Sequence, residues 1–106
     1  MSRGNFRDLA LALPGAQEKS HFGKADIRVR NRIFAGFNTE GMAYVKLTPD
    51  QQNMLMASEP GILSPVPGSW GGKGWTLVNA PLADEPLLKN VLRMAWKNVA
   101  PKSLQT

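Results

Sequence analysis

Apolar residues recur at helical spacing near both ends of the chain and at every second position in between. Phe6, Leu9, Ala10 and Leu13 keep an i, i+3, i+4, i+7 spacing. That predicts a helix over residues 5–13, with Asn5 as its N-cap and Pro14-Gly15 as its stop. From Gln17 to Leu47 the period becomes two. Ile27 and Val29 alternate with Asp26, Arg28 and Arg30, and Asn31 marks a tight turn into Arg32–Phe37. Asn suits such a turn because it tolerates the left-handed backbone that two-residue hairpin loops require. Ile33 and Phe34 compete for the buried face of the second arm. Asn38-Thr39-Glu40-Gly41 reads as another turn and Met42–Leu47 as the next strand.

Thr48-Pro49-Asp50-Gln51 combines an N-cap, a proline suited to the first helical position and the distal half of a capping box. A second helix therefore starts at Pro49 and runs through Met54, Leu55 and Ala57 until Pro60-Gly61 stops it. Ile62–Val66 is short and extended, and Gly74–Val78 is a further strand. Asp84 caps a last helix with Pro86 in its first turn. Leu88, Val91, Leu92, Ala95, Trp96 and Val99 form its unbroken apolar stripe, and Pro101 closes it. Hairpins in succession imply an antiparallel sheet, and amphipathic helices need one of its faces. The expected fold is a two-layer α+β domain spanning 1–106: an antiparallel sheet of about five strands with three helices mainly on one face.

Composition narrows the function. A chain of 106 residues buries roughly two-thirds of its unfolded surface and needs no metal or disulfide to hold together. The absence of cysteine excludes disulfide scaffolds, thiolate metal sites and Cys nucleophiles. The charged start Met1–Asp8 is unlike a signal peptide, and no apolar run reaches the roughly 18 residues of a membrane span. The expectation is a cytoplasmic protein with no membrane partner. Thirteen Lys and Arg against eight Asp and Glu leave a net charge of +5, which invites anionic partners, nucleic acid among them.

Two groups of cations stand out. Arg28, Arg30 and Arg32 gather around the turn at Asn31, with Lys24 upstream. A hairpin tip of this kind can enter a groove or lie along phosphates, and the planar guanidinium fork suits both phosphate and guanine edges. The ordinary alternative is a solvated strand whose charges prevent aggregation. Lys89, Arg93 and Lys97 recur every four residues along the last helix and are read as a ladder without acids in register.

The segment Pro65-Val66-Pro67-Gly68-Ser69-Trp70-Gly71-Gly72-Lys73-Gly74-Trp75-Thr76 reads as an irregular loop. Trp70, Lys73, Pro65 and Pro67, with His21, are candidates for the wall of a ligand groove. Trp75, inside a strand pattern, is expected in the core. His21 is the sole histidine. It lacks a companion nucleophile or ligand set, so it reads as structural. No phosphate loop, nucleophile elbow, HExxH or paired carboxylates appear. The chain therefore reads as a non-enzymatic protein with no metal and no cofactor.

Beyond these local readings, the chain resembles the MmcQ/YjbR family of small bacterial proteins over nearly its whole length. The resemblance rests on Leu11–Ala16, Glu18, His21-Phe22-Gly23, Arg28-Val29 and Ile33-Phe34-Ala35. It continues through Lys46–Gln52, Pro67–Gly71, Gly74-Trp75-Thr76, Ala95-Trp96 and Ala100-Pro101-Lys102. It implies a compact α/β fold with an antiparallel sheet. Members are described as predicted DNA-binding proteins with a double wing of β-hairpins, which implies duplex DNA as a partner. It carries over no residue roles. Two further readings stand beside DNA: a small-molecule or peptide module using the Gly/Trp segment, and an oligomer formed through a sheet edge.

Overall fold

The computed structural model describes residues 3–21, 24–38 and 40–105. The elements are α1 (Arg3–Leu11), β1 (Ala16–His21), β2 (Lys24–Val29), β3 (Arg32–Phe37), β4 (Ala43–Lys46), α2 (Pro49–Ser58), β5 (Leu63–Pro65), α3 (Ser69–Gly72), β6 (Trp75–Val78) and α4 (Glu85–Val99). Short 3-10 turns lie at Ala80–Leu82, between β6 and α4, and at Lys102–Leu104, after α4. The strands form one sheet in the order β1-β2-β3-β4-β6-β5, and every neighbouring pair is antiparallel.

The class is α+β, as expected, but the sheet has six strands rather than about five. The extra strand is β1, a polar run with no apolar alternation of its own; its register is set by the partner, from Ala16 opposite Val29 to His21 opposite Lys24. α1 starts at Arg3, ahead of the expected cap. The Gly/Trp segment contains a single helical turn, α3, where an irregular loop was expected. α2 starts as its signal predicts. The Thr48 hydroxyl accepts from Gln51 N at 3.1 Å and the Gln51 side chain accepts from Thr48 N at 2.9 Å. Asp84 caps α4 by accepting from Leu87 N at 2.9 Å.

The turn between β2 and β3 is Arg30-Asn31, both with positive φ (52° and 68°). This is the mirror-image turn that matches strand twist. The competition between Ile33 and Phe34 is resolved by a bulge. Arg28 pairs with Ile33, but Ile27 pairs with Ala35, so Phe34 is the extra residue and is wholly buried.

One face of the sheet carries Ile27, Val29, Ala35, Val45 and Val78 into the core. There it meets Phe6 and Ala10 of α1 and the stripe Leu88, Val91, Leu92, Ala95, Trp96 and Val99 of α4. The Trp96 indole N–H donates to Pro14 O at 2.9 Å and ties α4 to the α1–β1 loop. Among the described residues no helix is long and apolar enough to cross a membrane. The opposite face of the sheet, turned away from α1 and α4, is the open face.

Candidate binding face

The open face is built by strand alternation. In β4, Ala43 and Val45 are buried, so Tyr44 and Lys46 emerge on the other side. In β6, Thr76 and Val78 are buried, so Trp75 and Leu77 emerge with them. The register sets Tyr44 opposite Leu77 and Lys46 opposite Trp75. Gly36 lies opposite Tyr44 on one side and Asp26 on the other. Tyr44, Trp75 and Leu77 floor a groove of about 420 Å³, which Ile33, Val66 and Trp70 extend and which Lys24, Phe37 and Asn38 also line.

Its aromatic side chains form a row. Tyr44 meets Trp75 edge-on with centroids 5.6 Å apart, and Trp75 meets Trp70 edge-on at 6.1 Å. Each indole has its own ammonium: Lys46 Nζ is 4.8 Å from the Trp75 ring centroid and Lys73 Nζ is 5.2 Å from that of Trp70. Trp70 is 56% exposed, so it offers ring surface to a ligand. Trp75 corrects its expected core position: it is half-buried, because Thr76 takes the inward place beside it.

The Tyr44 ring lies flat across β3. A Cβ on Gly36 would stand 2.6 Å from Tyr44 Oη and 2.9 Å from Ala25 O, so only glycine leaves room. Burial, helped by the nearby Asp26 carboxylate, raises the Tyr44 phenol above its ordinary range, while Arg28 pulls the other way. Arg28 forks onto Asp26, Nε to Oδ1 at 2.6 Å and Nη2 to Oδ2 at 3.0 Å.

α3 is anchored from below. The buried Gln52 carboxamide of α2 donates to Gly71 O at 3.0 Å, Trp75 O at 3.2 Å and Thr76 Oγ1 at 3.0 Å. Thr76 in turn donates to Gly74 O at 2.8 Å. Gly71 packs so closely on Val66 O that a side chain there would collide with it. The exposed Trp70 is therefore carried by a fixed turn.

The sequence-predicted cations are dispersed. Arg28 lies on the open face, held by Asp26. Arg30 sits in the turn itself, and Arg32 pairs in register with the core-facing Val29. The expected finger of three parallel arginines is thus corrected: alternation and the turn send them in different directions. Arg30 and Arg32 are exposed and make no ion pair among the described residues.

Lys89 and Arg93 line a crevice of about 210 Å³ with Leu9, Leu13 and Leu92, between α1 and α4. That is the helix side of the sheet, so they do not join Arg28. Lys97, also exposed, follows the buried Trp96 near the end of α4. The reading of an acid-free ladder is corrected as well, because Glu85 precedes Lys89 by four residues and pairs with it at 3.6 Å.

Of the expected groove residues, Trp70 lines it and Lys73 sits over Trp70. Pro65 and Pro67 are exposed and Val66 between them takes the lining position. The side chain of His21 lies outside the described residues. Tyr44, Lys46 and Leu77 were not singled out by motif. Their signal was the alternation in Ala43–Lys46 and Trp75–Val78, but only the register brings the two strands together. Among the described residues no group of three His, Asp or Glu is placed to hold a metal ion.

The YjbR family model matches residues 11–98 of the chain. In fold, the chain is similar to the crystal structure of Deinococcus radiodurans protein DR2400, which carries domain DUF419. The TM-score is 0.69 at 19% identity, covering 93% of this chain and 84% of that one. No curated protein matches the chain.

Proposed function

The chain belongs to the YjbR family, and from that premise and the open face we propose that it is a non-enzymatic binding protein whose groove takes a flat, anionic ligand. One observation carries this reading. Two indoles and a phenol stand in a row on an uncovered sheet face, and each indole has a lysine ammonium against its ring. A flat apolar group can lie against the rings while its charge meets Lys46 or Lys73. The groove volume falls within the range of small-ligand sites. The test is intrinsic tryptophan fluorescence titrated with nucleoside monophosphates and aromatic carboxylates. Saturable quenching that Trp70→Phe alters is the expected result. A signal unmoved by every member of the panel sinks the reading.

A second reading, duplex DNA at the β2–β3 turn, is favoured by one observation: Arg30 and Arg32 flank Asn31 exposed and without acid partners among the described residues. Phosphate contacts there require duplex affinity that falls steeply with salt. Duplex left unbound by micromolar protein at about 50 mM salt removes this reading and leaves the groove untouched.

A further inference from the structure

Resting on the groove reading, we infer that the natural occupant of the open face is a single-stranded nucleic acid, held by base stacking on the aromatic row and by phosphates on lysines at both of its ends. Three observations on the same face lead there.

The first is the spread of the cations. Lys46 stands in the row of Trp75. Lys24 lines the groove together with Asn38. The register aligns Asp26, Gly36 and Tyr44 across three strands, so Lys24 and Lys46 lie one two-residue step to either side of that row. This is about 14 Å along the strands. A ligand with a single anionic group meets one end. A chain with a phosphate at every unit meets both.

The second is the aromatic content. Tyr44, Trp75 and Trp70 occupy β4, β6 and α3, so the row crosses the strands rather than forming one closed box. Stacking platforms of this kind suit unpaired bases, because every base has a π-face and a duplex keeps its bases stacked on each other.

The third is charge. On the open face the strands present Lys19, Lys24, Arg28 and Lys46, and among the described strand residues the one carboxylate in register with them is Asp26, already forked by Arg28. Glu18 belongs to the other side, where its carboxylate accepts from Arg7 Nε of α1 at 3.0 Å. With Arg28 and Asp26 paired to each other, Lys19, Lys24 and Lys46 leave the strands of this face with an excess of positive charge for a polyanion.

The experiment uses the full chain with a fluorescein-labelled eight-nucleotide oligothymidylate, read by anisotropy and by tryptophan quenching. The same-sequence duplex, thymidine monophosphate and poly-glutamate serve as competitors. The inference expects the oligonucleotide to compete at least tenfold better than the mononucleotide and the duplex. Trp70→Ala should weaken it by roughly 5- to 150-fold, the range for losing one stacked base. The slope of log affinity against log salt should be near −2 for three neutralised phosphates, and Lys46→Gln should make it shallower by about 0.7. Trp70 is exposed, so its replacement leaves the core intact.

Mononucleotide binding as tight as the oligomer overturns this inference but leaves the flat-anion reading standing. Preference for duplex, equal competition by poly-glutamate, or indifference to Trp70→Ala each overturns it too. Failure of the mononucleotides, the aromatic carboxylates and the oligomer alike removes both readings.

Discussion

Gly36 is where the smallest side chain has the largest consequence. It lets the phenol of Tyr44 cross β3, and a methyl there would meet both the Tyr44 hydroxyl and the carbonyl of Ala25. Gly36→Ala is expected to cost about 1–3 kcal/mol in urea unfolding, the usual penalty for overpacking. Part of that loss should return in the Gly36→Ala/Tyr44→Ala double variant, since the two residues touch and their effects couple. Tyr44 is also the chain's single tyrosine, so its phenolate absorbance reports one site. Its folded value is raised, first by burial and then by Asp26. The folded state therefore holds the phenolic proton more tightly than the unfolded chain. Its contribution to stability is complete below the ordinary phenol value and is lost as pH rises through the folded one. Asp26→Asn should bring the titration down towards the ordinary range. A midpoint that stays where it was would show that burial alone accounts for the shift.

At the scale of elements, the decisive join is between α2 and the Gly/Trp segment. α2 begins where its capping box says, but its function in the fold lies one residue later. Gln52 is buried and spends its carboxamide on Gly71, Trp75 and Thr76. Gln52→Ala leaves two backbone carbonyls without this donor. It is expected to lower unfolding stability by about 2 kcal/mol and to loosen α3, seen as a changed environment for Trp70 in fluorescence. Near-wild-type stability and emission would mean that the packing of Gly71 on Val66 holds the turn unaided. The bulge at Phe34 belongs to the same scale. It settles which of two neighbouring apolar residues enters the core, and thereby sends Ile33 to the open groove.

Over the whole molecule, the sheet separates two cationic surfaces. Lys89 and Arg93 lie beside α1, while Lys24 and Lys46 serve the open face. Effects of substitutions in the two sets should be independent, because sites that share no partners add. Lys89→Gln with Arg93→Gln is expected to leave oligothymidylate affinity within about twofold, whereas Lys46→Gln with Lys73→Gln lowers it severalfold. Equal losses from both pairs, measured by anisotropy, would mean that the strand wraps around the molecule instead of lying on one face.

Much of this architecture was legible in the linear order of residues, and the reason is locality. The starts of α2 and α4, the hairpin turn at Asn31 and the apolar stripe of α4 depend on neighbours within a turn or two, so their signals are written in adjacent positions. The family resemblance points to the same antiparallel sheet. β1 was not legible, because a polar edge strand takes its register from its partner. Nor was the fate of Trp75, whose strand pattern gave two faces without saying which was covered. The arginines at 28, 30 and 32 looked like one group in the chain, yet alternation and a two-residue turn part them. The groove has no motif at all. It exists because β4 and β6, separated by α2, β5 and α3 along the chain, lie side by side in space. Residue order determined the elements, their caps and the excess of positive charge; only packing decided which aromatic side chains face solvent together and which cations stand beside them, because long-range register and burial are properties of the assembled sheet.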